Sequence, residues 1–303
     1  MKTKILSALI VIVMIAALAV PVFASDEPSG EPVVIEPVEF PDPDEAKIVS
    51  ATMYSEYTKK PDSFQDAIIK ATLYWDQTNE EVYEIRFLQA FLPWDDNGVN
   101  DMGWACIKDE DLLATLEEAD AVVEVRDGIV YAKYLQFGDM VWTGEMDTHP
   151  ACGDAVEWFA EIDGETVGLL DYGKTQEGGA WYHEAVEEDV LILTSDEVAE
   201  DADAENVAAT VTVPYKETNG HGTFFWMSDI TFPGNIEAIK QFVIENGFDY
   251  DYYADGGITQ NEDGYWETAD AVTGATLDET PTYLDILKTL YNDIMDGNYV
   301  EEN

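Results

Sequence analysis

From Ile48 onward the chain is patterned mostly as short apolar runs broken by turn residues, the signature of strands. Ala67 to Trp75 and Val82 to Leu92 are rich in β-forming residues. The polar stretch between them, with Asp76, Asn79 and Glu80, predicts a hairpin. Val122 to Arg126 and Ile129 to Tyr134 flank Asp127-Gly128, a strong two-residue hairpin signal. Trp158 to Ile162 and Thr166 to Leu170 flank Asp163-Gly164-Glu165 and predict another. Val207 to Val213, stopped by Pro214, and Thr223 to Phe232 are further strand candidates.

Helical spacing is rarer. Asp109 to Ala119 is a moderate match. Asn235 to Asn246 is a better one: Asn235 can cap, Ile236, Ile239 and Val243 share a face, and Gly247 ends it. In the last segment Thr280 can cap, Pro281 suits a first turn, and Leu284, Leu287, Tyr291 and Ile294 recur at helical spacing before Gly297. Strand runs with a few segregated helices predict an α+β fold, an antiparallel β-rich body. The pattern suggests a β-rich region over 48–150, a C-terminal domain over 151–297 and a tail over 298–303.

The first residues are patterned differently. Lys2 and Lys4 precede an apolar run from Ile5 to Phe23, which closes on Val22-Phe23-Ala24 before Ser25. That order predicts a secretory signal over 1–24; the alternative is a retained N-terminal anchor, since about 20 apolar residues also cross a bilayer. Either way the rest of the chain is expected outside the cytoplasm. Residues 25–47 interleave Pro28, Pro32, Pro37, Pro41 and Pro43 with acids, which predicts an extended linker.

Charge narrows the function. The 303 residues carry 14 Lys+Arg and 64 Asp+Glu, a formal net charge of −50, and loss of Lys2 and Lys4 with a signal makes it −52. Nucleic-acid binding is excluded by this balance, because phosphates are neutralised by clustered cations. Docking on anionic lipid is disfavoured for the same reason. Hydrophobic content of 46% is too high for a disordered acidic tail, so the acids must lie on the surface of a real core. Self-repulsion of this size is relieved where the Debye length is short, roughly 3 Å at 1 M salt, which suggests a high-salt habitat.

The chemistry-bearing residues are few. Cys106 and Cys152 are the sole cysteine pair, and in an oxidising compartment such a pair is more often a disulfide than two thiols. His149, His183 and His221 are scattered, and His183-Glu184 lacks the second histidine of HExxH, where Glu187 stands instead. Asp95 to Asp101 looks like a calcium loop, but Gly98 comes too early for an EF-hand. Gly168 to Thr175 fits GxxxxGK[ST]. Asp171 inside the anion cradle and Gly178-Gly179 where the following helix should run argue for a simple turn. No nucleophile elbow and no dinucleotide fingerprint occur.

One segment stands apart: Asp270-Ala271-Val272-Thr273-Gly274-Ala275-Thr276, just before the final helix. Gly274 permits an unusual backbone, Ala275 adds little bulk, and Thr276 offers a hydroxyl. A helix start nearby brings N–H groups and a positive dipole end that favour phosphate. The segment resembles the Asp-x-x-Ser/Thr-Gly-Ala-Thr flavinylation motif of the FMN-binding domain family. That family includes the covalently flavinylated subunits of the sodium-pumping NADH:quinone reductase and of the related Rnf electron-transport complex. All five specified positions match. Members often carry Thr-Ser two and three residues beyond the attachment threonine, where this chain has Asp278-Glu279.

The resemblance implies that residues 151–297 form an FMN-binding-like domain. Thr276 would be esterified with FMN by an FAD:protein FMN transferase, and Asp270, Thr273, Gly274 and Ala275 would complete the recognition sequence. It implies an extracytoplasmic electron-transfer flavoprotein that takes electrons from a membrane donor and passes them to an extracytoplasmic acceptor, a carrier more than a stand-alone enzyme. A covalent tether also suits the charge, because an anionic body has few cations to grip a phosphate. Trp226 and Trp266 are candidates for stacking on the isoalloxazine, or are core aromatics. The alternative function is an acidic extracellular binding module without a redox cofactor.

Overall fold

The computed structural model describes residues 37–57, 67–92, 122–126, 129–132, 134–137, 140–149, 153–188, 191–194, 208–211, 215, 232–250, 257–262, 264–267, 273–275, 277 and 279–302. The signal segment, Asp95 to Asp101, the helix expected over Asp109 to Ala119, Cys106, Cys152, His221 and Trp226 lie outside them. So do the strand expected over Thr223 to Phe232, apart from its last residue, and the turn residues Asp127-Gly128.

The first sheet is built on the predicted hairpin. Strands β2 (Ala67–Asp76) and β3 (Glu81–Phe91) pair antiparallel from Ala67↔Phe91 to Asp76↔Glu81. Asp76 closes the turn: its carboxylate accepts the N–H groups of Thr78 (2.7 Å) and Asn79 (3.2 Å) and the Asn79 amide (2.7 Å). Burial pushes the Asp76 carboxyl up, but these bonds favour the charged form more and hold it below its ordinary value. Strand β1 (Ile48–Tyr57) pairs with the other edge of β2, and the last strand, β14 (Val300–Glu302), pairs with β1. The expected tail over 298–303 thus supplies the edge of the first sheet, in the order β14-β1-β2-β3.

Both faces of this sheet are covered, which is why β2 is buried almost continuously. One face, with Val49, Leu73, Ile85 and Phe87, packs on helices α3 (Phe232–Asn246) and α4 (Thr280–Met295). The other, with Ile68, meets the helices α1 (Leu169–Gly173) and α2 (Gln176–Glu187). Those helices also cover a second sheet, of order β11-β10-β6-β7-β8-β9. Its strands are β6 (Tyr134–Phe137), β7 (Met140–His149), β8 (Gly153–Ile162), β9 (Glu165–Gly168), β10 (Leu191–Thr194) and β11 (Ala208–Val211). Here Trp142, fully buried, lies 5.5 Å from the Trp181 ring and 5.8 Å from Tyr172. Two short hairpins complete the described strands: β4 (Val122–Arg126) with β5 (Ile129–Ala132), and β12 (Thr259–Gln260) with β13 (Trp266–Glu267).

The α+β class with antiparallel sheets is as expected, with four helices among the described residues. Several details differ. Asp163-Gly164 alone makes the β8–β9 turn, with Ile162 paired to Glu165 and both turn residues at positive φ (54° and 82°). Leu169 and Leu170, expected in the strand, begin α1. Helix α3 starts at Phe232, a turn before the expected cap, because Pro233 is suited to a first helical turn; Asn235 is therefore inside the helix and wholly buried. The core of the first sheet joins residues 49–91 to residues 232–294, across the division expected near 150. The last part of the expected linker is tied to the sheet: Phe40 packs on Tyr74 and Tyr83, and the Tyr83 hydroxyl donates to the Glu39 carbonyl.

Candidate functional site

The Thr-Gly-Ala segment is held by the β12–β13 hairpin. Asn261 shapes that hairpin's turn, with its side-chain oxygen accepting from Tyr265 N–H at 3.0 Å, and Gly264 takes φ 87°. The outer edge of β13 then receives the motif. Thr273 N–H donates to the Trp266 carbonyl at 2.7 Å, and Trp266 N–H donates to the Ala275 carbonyl at 3.0 Å. Between these two bonds the chain reverses at Gly274, whose φ is 72°. A Cβ there would find room, its nearest neighbour being the Ala238 methyl at 3.7 Å. Conformation, not space, thus favours glycine.

Thr273 contributes to the same turn. Its hydroxyl accepts the Ala275 N–H at 2.9 Å and is buried. A Ser or Thr at this place therefore closes the loop by its own side chain. Ala275 is fully buried and Leu277 is 2% exposed, both in the first core. The Trp266 indole N–H donates to the Leu277 carbonyl at 2.6 Å. Of the predicted site residues, Thr273, Gly274 and Ala275 come together in one turn; Asp270 and Thr276 lie outside the described residues. Sequence reasoning gave Trp266 as a stacking or core aromatic and did not foresee its backbone bonds, for which its place beside a polar turn was the only signal.

The start of α4 differs from expectation. Glu279, not Thr280, occupies the cap position, and its side chain makes no capping bond. Thr280 N–H donates to the Leu277 carbonyl, Pro281 has no N–H, and Thr282 and Tyr283 N–H donate to the Glu279 carbonyl. The first turn thus spends its donors internally, so it offers no open anion cradle of the kind expected. The Thr280 hydroxyl is buried and has no hydrogen-bond partner among the described residues. The sequence has no Lys or Arg between Lys240 and Lys288. These two are engaged elsewhere, Lys240 with Glu84 at 3.2 Å and Lys288 with the Tyr250 carbonyl.

Comparison with protein-family models, with curated proteins and with solved structures finds no match to this chain.

The remaining candidates are also placed. In the phosphate-loop match, Thr175 caps α2 by accepting the Gly178 N–H at 3.0 Å, so a helix does follow and the glycines do not prevent it. The loop itself is coiled into α1, the Lys174 and Thr175 N–H groups donate to the Leu170 and Tyr172 carbonyls, and Lys174 is paired with Asp171 (2.8 Å) and Glu56 (3.0 Å). His183 is fully buried on α2, with Nε2 2.9 Å from the Ile68 carbonyl and Nδ1 3.3 Å from the Tyr215 hydroxyl. Nε2 therefore carries the proton, and Nδ1 accepts from Tyr215. Burial pushes His183 down to about 3, opposed by its bond to Ile68 and assisted by nearby Lys70. His149 lies at the end of β7, paired with Gly153. Among the described residues no three His, Cys, Asp or Glu converge as metal ligands, and no helix is long and apolar enough to cross a membrane. A groove of about 750 Å³ lies on the second sheet, lined by Met140, Thr143, Phe159, Glu145, Glu161 and Asp163.

Proposed function

We propose that this chain is an extracytoplasmic electron-transfer flavoprotein that carries FMN covalently on Thr276. The observation that carries the reading is the seven-residue segment Asp270 to Thr276, whose described part is a tight turn built by Thr273 and Gly274 and seated on Trp266. Each of these residue types has a local physical reason to be where it is. The absence of lysine and arginine from the surrounding sequence favours a covalent tether over an ionic one.

In the modification reaction, the Thr276 hydroxyl attacks the FMN-side phosphorus of FAD. An Oγ–P bond forms, the pyrophosphate bond breaks, AMP leaves, and the hydroxyl proton passes to a base of the transferase or to water. Bound FMN supplies reversible one- and two-electron chemistry. The chain's own contribution is the turn that holds the attachment segment, the buried anchors Ala275 and Leu277 on either side of it, and an anionic surface that disfavours anionic partners. Electrons would come from a membrane donor and leave to an extracytoplasmic acceptor.

Intact mass of protein coexpressed with an FAD:protein FMN transferase tests this directly. The wild type is expected to gain one FMN residue and Thr276→Val none. No gain in the wild type overturns the flavoprotein reading and leaves the acidic binding module.

A further inference from the structure

We propose that Trp266 is a positioning residue for the modification of Thr276, an inference that rests on the flavoprotein reading above. Trp266 makes three hydrogen bonds to the motif and its exit. Its carbonyl accepts from Thr273 N–H at 2.7 Å, its N–H donates to the Ala275 carbonyl at 3.0 Å, and its indole N–H donates to the Leu277 carbonyl at 2.6 Å. The last two reach the residues immediately before and after position 276. Ala275 and Leu277 are both buried in the first core, so one tryptophan and one core fix the backbone on both sides of the acceptor threonine. The two backbone bonds need no particular side chain at 266. The indole bond does, since among apolar aromatic side chains only tryptophan carries a ring N–H donor.

A transferase that must seat this segment against FAD binds only the chains in which it is already ordered. Loosening one side lowers the competent fraction, and the apparent affinity falls in proportion. Loss of a single net-favourable hydrogen bond lowers the ordering equilibrium constant about fivefold, which is the upper bound on the fall in that fraction. The effect belongs in the KM for the acceptor protein, while the phosphoryl-transfer step itself is left unchanged.

The test is in vitro flavinylation of purified full-length acceptor by an FAD:protein FMN transferase with FAD and Mg²⁺, with initial rates read by intact mass over a range of acceptor concentration. Trp266→Phe keeps an aromatic ring at the edge of the core and removes the indole donor with part of the ring. It is expected to raise KM, by up to about fivefold, with kcat near wild type. Phe248→Leu, which disturbs the Phe248–Tyr291 stack (4.3 Å) in the same core, controls for a general loss of stability and is expected to keep the wild-type KM. Equal KM values for Trp266→Phe and wild type overturn the proposal, as does a KM for Phe248→Leu raised as much as that for Trp266→Phe. A second measurement needs no variant: the Trp266 indole proton should exchange slowly with deuterium, and exchange at the rate of a free indole overturns the bond on which the inference stands. Failure of the wild type to gain FMN overturns the flavoprotein reading and this inference together, whereas a modified wild type with an unaffected Trp266→Phe overturns this one alone.

Discussion

His183 shows how a single buried group couples this fold to pH. In the folded chain it is neutral between the Ile68 carbonyl and the Tyr215 hydroxyl, and it is held down to about 3. In the unfolded chain it titrates near 6.5. Between these values the unfolded state binds a proton that the native state refuses. The stability associated with His183 is therefore whole above about pH 6.5 and lost as pH falls toward 3, at up to about 1.4 kcal/mol per pH unit. The many carboxylates act in the opposite direction over part of this range, because their protonation relieves self-repulsion. The informative quantity is thus the difference between wild type and His183→Gln. Urea midpoints measured from pH 7 to pH 4 should fall more steeply for the wild type, whatever baseline stability the variant loses. Parallel pH dependences would mean that His183 takes up its proton in the folded chain as readily as in the unfolded one.

At the scale of elements, α2 is where local propensity and packing disagree most. Gly178 and Gly179 fall in its first turn, and a paired glycine there reads from sequence as a helix breaker. Packing explains them. A Cβ on Gly179 would lie 2.2 Å from the Tyr54 ring carbon next to its own Cβ, and one on Gly178 only 2.0 Å from the Tyr172 carbonyl oxygen. Gly179→Ala gains about 1 kcal/mol of helix propensity but forces a rigid ring and the β1 backbone apart, a cost of about 1–3 kcal/mol or more. Net destabilisation of about 1–2 kcal/mol is expected in urea titrations, and a stabilised variant would mean that Tyr54 yields freely.

The same contrast separates what could be read in the sequence from what could not. The β2–β3 hairpin and α4 were legible because each carries its signal over many residues: β-forming runs on either side of a polar turn in one, Leu284, Leu287 and Ile294 on a single face in the other. Strand β14 was not, because Val-Glu-Glu at a sheet edge needs only its backbone to pair and leaves no apolar pattern. The cap of α4 was misplaced by one residue, since Thr280 is turned into the core. At the candidate site Thr273, Gly274 and Ala275 could be read as a group, and the role of Thr273's hydroxyl follows from its spacing to Ala275. The Trp266 bonds could not, because they depend on how a two-residue strand receives a segment further along the chain.

For the whole molecule the governing quantity is charge. Lysines that form ion pairs among the described residues mostly join separate elements: Lys47 with Glu301, Lys70 with Glu187, Lys174 with Glu56 and Lys240 with Glu84. Each is worth about 0.2–1 kcal/mol at the surface and weakens as salt is added. Four such ties are small against the self-repulsion of a net charge of −50, which salt screens at the same time. The two effects have opposite signs, and the repulsion is the larger. Melting temperature is therefore expected to rise by several degrees between 0.1 M and 2 M NaCl. A melting temperature that is flat or falls with salt would refute the idea of a chain adapted to concentrated brine.

The first sheet also sets an order of events. Its apolar face, with Val49, Leu73, Ile85 and Phe87, is made early in synthesis, but the helices that cover it begin only at Phe232. At about 5–20 residues per second, the ribosome leaves that face without its cover for on the order of ten seconds while everything between Phe91 and Phe232 is produced. Strand β14, which completes the sheet beside β1, is made later still. The nascent chain therefore carries this apolar face without its native cover throughout the interval, and a chain released before residue 232 lacks the helices α3 and α4 that bury it.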